Sequence, residues 1–239
     1  TYEYERTKED HLLDKIGAWF EFHNETRNRN GFWGRDLRSH YLYGLQNGFH
    51  QLVMYFYWHK DIPRLNRIVD VALMSQDRQG FFAPTPGGEA CHDYDAIHIL
   101  AMARRATDYR KDQIEACLNK AFDAILSIRN SDGGFCQSQA KLTGLTDFFR
   151  HIPVYFSNGS PYLWYYRSRA SLAALLKAGN LIHTGWTREP RAWNQSNLWD
   201  TWFRCLALAE VAQTIDGTRV QDFRDVNFQK APGIGCFRQ

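Results

Sequence analysis

Two stretches place acids, histidines and aromatic rings at helical spacing. One is Cys91-His92-Asp93-Tyr94-Asp95-Ala96-Ile97-His98, the other Asn197-Leu198-Trp199-Asp200-Thr201-Trp202-Phe203-Arg204. A carboxyl group in apolar surroundings suits general-acid chemistry, because burial disfavours its charged form. At about 100° per residue, Asp95, His98, Ile99 and Met102 share one helix face and Asp93 lies well round from it. Asp93 is therefore the better N-cap and Asp95 the better proton donor, with Tyr94 or His92 placed to orient a carboxyl group. Two effects oppose each other here. A helix start favours the ionised form, whereas an acid catalyst must begin protonated, and the sequence leaves that balance open. Simple capping and first-turn charge compete with any chemical role for both aspartates.

Asp200 is the second candidate acid. It stands 15 residues after Gly185, as Asp95 stands 15 after Gly80 (200 − 185 and 95 − 80). Equivalent positions in two repeats are expected at one height. Asp200 and Arg204 are four apart and are also expected to pair on a helix. Trp199, Trp202, Phe203 and Trp164 supply rings for a substrate wall, and His50 is a candidate to face the same cavity. Arg167 and Arg169 follow Trp164 and are read as surface or salt-bridged. No metal is expected: Cys91, His92 and Asp93 are contiguous and cannot all point at one ion from a helix. No Asp-Asp-x-x-Asp, Asp-x-Cys, Gly-x-Ser-x-Gly, Walker or dinucleotide fingerprint occurs, so no cofactor is expected.

The elements that must position these residues show in the glycines. Gly31, Gly80, Gly133, Gly185 and Gly235 each precede or adjoin an aromatic residue, as in Asn30-Gly31-Phe32-Trp33 and Gln79-Gly80-Phe81-Phe82. Their spacings are 49, 53, 52 and 50 (80 − 31, 133 − 80, 185 − 133, 235 − 185). Between them the apolar residues step by three and four, as in Leu65, Ile68, Ala72 and Leu73, or Ile114, Leu118, Phe122 and Ile125. Helices are expected before the turns at 80 and 133, the second starting at Lys111 or Asp112, and after the turns over 43–58, 94–105, 163–178 and 198–212. The unit is an outer helix, a Gly-aromatic turn and an inner helix. Such a unit cannot bury its apolar face alone, so neighbours stack. The expected fold is all-α: an α/α toroid of hairpin repeats of about 50 residues in one domain over 1–239. Residues 136–162, with Gly144, Pro153 and Pro161, read as a long inserted loop. About eight helices can be counted, too few for a full six-hairpin ring, so the ring is incomplete or closed by a partner.

Composition narrows the partners. The chain has 239 residues, 44% hydrophobic and 15% aromatic, with a formal net charge of +3. Its longest apolar run, Leu52–Trp58, is far short of the roughly 20 residues that span a bilayer. Without a basic run, nucleic acid is not expected. The five cysteines are scattered, which suits free thiols in a cytoplasmic, at most membrane-peripheral, protein.

The Gly-aromatic turns resemble the glutamine-tryptophan repeats of triterpene cyclases and the related repeats of protein prenyltransferase β subunits. Gln76-Asp77-Arg78-Gln79-Gly80-Phe81-Phe82 is the best copy and Asn130-Ser131-Asp132-Gly133-Gly134-Phe135 the next. The resemblance spans roughly residues 20 to 237. Class II terpene cyclases begin an inner helix with Asp-x-Asp-Asp, whose central acid protonates an alkene or epoxide. Asp93 and Asp95 match its first two acids, and Ala96 stands at the third. The resemblance implies a central cavity for an apolar isoprenoid-type substrate, with Asp95 as acid, Asp93, His98 and Asp200 beside it, His92 and Tyr94 as tuning groups, and rings to steady a carbocation. Two other readings stand beside it. One is a carbohydrate-active toroid, a hydrolase or lyase, with Asp95 and Asp200 as paired carboxylates. The other is a non-catalytic binding module of a larger protein, and oligomers fit any of the three.

Overall fold

The computed structural model describes residues 1–140, 142–157, 160–176, 181–182 and 191–215. Two compact units divide them, one from Thr1 to Ile68 and one from Val69 onward. The first holds α1 (Tyr2–Thr7), α2 (His11–Glu25) and α3 (Leu42–Tyr57). α4 (Leu65–Ser75) spans the division; α5 (Ala90–Ala106), α6 (Lys111–Ser127), α7 (Leu145–Arg150), α8 (Ile152–Tyr155), α9 (Pro161–Leu176) and α10 (Leu198–Thr214) follow. One antiparallel pairing joins β1 (Leu181–Ile182) to β2 (Arg191–Ala192). Among the described residues no helix is long and apolar enough to cross a membrane.

Three turns of one design punctuate the helices. Asn28, Asp77 and Asn130 each donate a backbone N–H four residues on, to Phe32, Phe81 and Gly134 O at 2.7, 2.7 and 2.9 Å. Gly31, Gly80 and Gly133 return N–H bonds to those three residues' carbonyls at 3.0, 3.2 and 3.0 Å. All three glycines take φ between +86° and +107°, where a Cβ is strained. The residue four before each glycine donates a side-chain N–H to the glycine carbonyl: Arg27 at 2.6 Å, Gln76 at 3.1 Å and Arg129 at 3.3 Å. The first two turns are also gripped by the next helix region, through Arg64 Nη1 to Asn28 O and Lys120 Nζ to Asp77 O. The repeat read from glycine spacing is thus a repeat of hydrogen bonds. The proposed turns at Gly185 and Gly235 lie outside the described residues.

Helix boundaries follow the apolar steps. α6 starts at Lys111 and buries Ile114, Cys117, Leu118, Ala121, Phe122 and Ile125, a stripe of three- and four-residue steps. α3 and α10 match their expected spans closely. α5 starts four residues before the expected Tyr94. Glu89, in extended conformation, is its N-cap, and the Asp93 side chain accepts the Glu89 N–H from inside the helix at 2.9 Å. Asp93 therefore caps from the first turns rather than occupying the N-cap position.

The stretch 136–162 is not a plain loop, since it contains α7 and α8. Pro153 sits in the first turn of α8, where its missing N–H costs nothing. Hydrogen bonds decide which helix completes the third hairpin. Phe82, two after Gly80, donates its N–H to Asp93 Oδ1 at the start of α5 at 2.6 Å. Phe135, two after Gly133, donates its N–H to Thr201 Oγ1 at the start of α10 at 2.9 Å. Asn130 Nδ2 also reaches Ser196 Oγ at 2.7 Å. α10, not α9, is the helix docked on the Gly133 turn, and residues 136–197 are an insertion between them. The insertion lies against the second turn, with Arg167 Nη2 on Ser75 O at 2.7 Å and Arg78 N on Ser157 Oγ at 2.9 Å. Arg167 thereby closes the C-terminal end of α4, where a cation is favoured; of the two readings, surface or salt-bridged, the surface one is excluded, since the residue is buried with the charge of Asp77 nearby.

A Cβ on Gly80 would stand 2.7 Å from Lys120 O and 2.8 Å from Ala124 Cβ, at φ +107°. Gly80→Ala is expected to lower stability by about 2 kcal/mol or more. Gly17, inside α2 with nothing within 4 Å of a built Cβ, is the control, and Gly17→Ala is expected to raise stability by about 0.5–1 kcal/mol. Urea unfolding curves of the two variants check both.

Candidate functional site

The first turns of α5 carry five of the expected site residues, and each has a different fate. Asp93 is 1% exposed and fully engaged. Its Oδ1 accepts Phe82 N–H; its Oδ2 accepts Glu89 N–H and Arg204 Nη1 at 2.6 Å. Arg204, itself buried, also donates to Gln137 O at 2.9 Å. The expected Arg204–Asp200 pair therefore gives way to Arg204–Asp93, because α5 and α10 pack extensively together and Asp93 is the buried acid facing the guanidinium.

Asp95 is 6% exposed. Among the described residues its carboxyl has no hydrogen-bond or ion-pair partner. Burial raises it well above the usual carboxylate range; His92 opposes this, and the nearby charges of Asp93 and Glu89 push further up. Burial thus acts against the ionised form of Asp95, the direction that an acid catalyst needs. Neither Tyr94 nor His92 hydrogen-bonds to Asp95. His92 Nδ1 faces Glu89 Oε2 at 3.0 Å. Burial works to lower the His92 imidazole, but the Glu89 carboxylate outweighs it and raises it. Glu89, pushed up by burial, is brought below its usual range by His92.

Donor atoms of Glu89, Cys91 and His92 all lie within 4.8 Å of one another, the described set able to approach one cation. Asp93 is turned away from them toward Arg204. Glu89 and His92 face each other beside the Cys91 thiol, which burial, then Glu89 and Asp95, push above its usual range.

His98 is buried with Nδ1 3.5 Å from Glu210 Oε2, and Glu210 Oε1 meets Arg105 Nη2 at 3.1 Å. Burial alone would raise Glu210, yet contact with His98 and then Arg105 brings it below its usual range. His98 thus belongs to a buried polar cluster between α5 and α10, with Glu210 and Arg105. Glu210 was missed in the sequence, although a charge inside Leu206-Ala207-Leu208-Ala209-Glu210-Val211-Ala212 is a visible signal.

Tyr94 is buried, its ring 5.7 Å from His98 and 5.6 Å from Phe203. Phe203 continues to Trp199 and Trp202, each at 4.9 Å, with Trp202 partly open to solvent. These expected wall residues form one continuous group. Trp164 lies apart, in the insertion, against Phe156 at 5.4 Å. His50 is exposed on α3. Phe49, Leu52 and Val53 form the buried face of that helix.

Asp200 is buried in the first turn of α10. Its N–H donates to Asn197 Oδ1 at 2.9 Å, and Asn197 Nδ2 donates back to its carboxylate, a reciprocal cap. It does not occupy the position of Asp95. Asp200 is the third residue of its helix and Asp95 the sixth, and α10 is docked on the Gly133 turn. The third residue of α5 is His92, and the sixth of α10 is Phe203. Comparison with known protein families, characterised proteins and solved structures finds no match to this chain.

Removing one partner of a buried ion pair strands the other. Arg204→Met is expected to cost about 3–5 kcal/mol, and the Asp93→Asn, Arg204→Met double variant distinctly less than the sum of the singles. Denaturant unfolding of all three variants measures the coupling.

Proposed function

We propose that the chain is a Brønsted-acid enzyme of the terpenoid-cyclase type. Its hairpin repeats contribute to an α/α toroid around a hollow, and an apolar isoprenoid-type substrate binds there. The observation that carries this reading is the Asp95 carboxyl: buried, without a hydrogen-bond or ion-pair partner among the described residues, and pushed by burial toward its neutral form beside an aspartate already consumed by an arginine. Two carboxyl groups two residues apart thereby divide into a structural anion and an available acid.

The step balances simply. The Asp95 O–H bond breaks, its proton joins an alkene carbon, and the alkene π pair becomes the new C–H bond. The positive charge remains on the adjacent carbon, and Asp95 is left as carboxylate. His92, the nearby cation of the cluster, steadies that new anion. A proton lost from the final carbocation restores Asp95, so no oxidant, metal or cofactor enters. The rings of Tyr94, Phe203, Trp199 and Trp202 offer faces to a carbocation. Asp93 takes no proton in this account; it fixes the start of α5 and thus where Asp95 points.

The test is conversion of acyclic polyprenes, squalene and a polyprenyl alcohol, in deuterated water. The wild type is expected to give a product carrying one new deuterium. Asp95→Asn is expected to be slower by about 10²–10⁴-fold. Wild-type turnover is expected to fall as pH rises through the raised Asp95 pKa, since only the protonated form donates. Equal deuterium incorporation by Asp95→Asn, or no conversion of any polyprene by the wild type, overturns the proposal.

A further inference from the structure

Arg27 carries a charge that its structural role does not require. Each repeat turn needs one side-chain N–H on the glycine carbonyl, and in the second turn the neutral amide of Gln76 supplies it at 3.1 Å. Arg27 supplies it in the first turn through Nη1, at 2.6 Å from Gly31 O. Its Nε and Nη2 are buried without an acceptor, and the residue is only 9% exposed. The guanidinium lies 4.3 Å from the Trp33 ring centroid and 4.5 Å from that of Tyr55. Those faces stabilise it in part, but among the described residues no carboxylate pairs with it. The two other deeply buried arginines differ: Arg204 holds Asp93 at 2.6 Å, and the charge of Arg167 is met by Asp77. A buried cation is ordinarily paired, because desolvation without a counter-charge is costly.

What surrounds Arg27 is more positive charge and an opening. A cavity of about 820 Å³ is lined by Arg27, Arg29, Arg35, His40 and Trp33, with Glu25 as its only carboxylate. Three arginines less one glutamate give that lining a formal charge of +2 (3 − 1). The His40 Nδ1 is buried and has no hydrogen-bond partner. Burial and the charge of Arg29 hold that imidazole below its usual range. Buried polar groups without partners among the described residues therefore meet around one hollow.

We infer that this cavity binds a small-molecule phosphate monoester, its dianionic phosphoryl group against Arg27, Arg29 and Arg35 and its organic part along Trp33. A tetrahedral dianion matches the +2 lining and takes charge-assisted hydrogen bonds from several directions, which a planar monoanion does less well. The space exceeds what a bare phosphate fills, and the Trp33 ring offers a flat wall to the remainder. The site lies wholly within the first unit and is independent of Asp95.

Titration calorimetry with phenyl phosphate tests it, with inorganic phosphate and benzoate at matched ionic strength. Saturable one-to-one binding of phenyl phosphate is expected, tighter than either comparison anion. Arg27→Gln keeps the donor to Gly31, as Gln76 does in its own turn, and is expected to weaken binding at least about tenfold. The exposed pair Arg29→Gln, Arg35→Gln is expected to do the same with circular dichroism unchanged, and it decides the matter if Arg27→Gln fails to fold. Phenyl phosphate is also expected to raise the thermal midpoint of the wild type but not of the variants. Absence of saturation, benzoate binding as tight as phenyl phosphate, or unaltered affinity in folded variants overturns the inference.

Discussion

The buried contact between Asp93 and Arg204 is the constraint on which the second unit depends. One carboxylate receives the backbone N–H of Phe82 from the second turn, the N–H of Glu89 at the start of α5, and the guanidinium of Arg204 from α10. The second turn and the start of α5 are thereby fixed at one point to α10, whose arginine lies 111 residues from Asp93 in sequence. A carboxylate so deeply buried is tolerated because three donors meet it. The same contact sets the chemistry next to it. Asp93 cannot serve as an acid while it is spent on three donors, and its charge makes ionisation of Asp95 harder.

The repeated turn explains why the helices pair as they do. A glycine at positive φ lets the chain reverse, and a side chain four residues earlier closes the loop by donating to the glycine carbonyl. The aromatic residues after the glycine then run toward the next helix. In the second and third repeats the same backbone position, two after the glycine, seeks an acceptor on the fourth residue of that helix. Asp93 meets the need in one and Thr201 in the other. Asp93 is thus first a part of the turn, and Arg204 compensates for the charge that a threonine does not bring. Arg27 and Gln76 show the same kind of exchange at another position of the turn, with the charged residue facing a basic hollow.

Much of this was legible in the residues. The 49- and 53-residue intervals between Gly31, Gly80 and Gly133 predicted equivalent turns because positive φ leaves glycine almost alone. Three- and four-residue apolar steps placed α4 and α6 because their buried stripes are uninterrupted. The start of α5 was misplaced because its cap is made by a side chain inside the helix. Assigning α9 to the third turn failed for a different reason. Regular spacing suggested a turn at Gly185, whereas the partner of Phe135 lies 66 residues on, at Thr201, a distance that no local pattern encodes (201 − 135). The pairing of Arg204 was misread likewise, since an i, i+4 neighbour is visible in sequence and a partner 111 residues away is not.

Asp95 emerged from helix periodicity, and its isolation emerged only from packing. The most direct measurement of the central claim is the infrared difference spectrum between wild type and Asp95→Asn at neutral pH. The account predicts a protonated carboxyl C=O band in the wild type that the variant lacks. A carboxylate signal lost in its place would contradict it, because an ionised Asp95 has no proton to give.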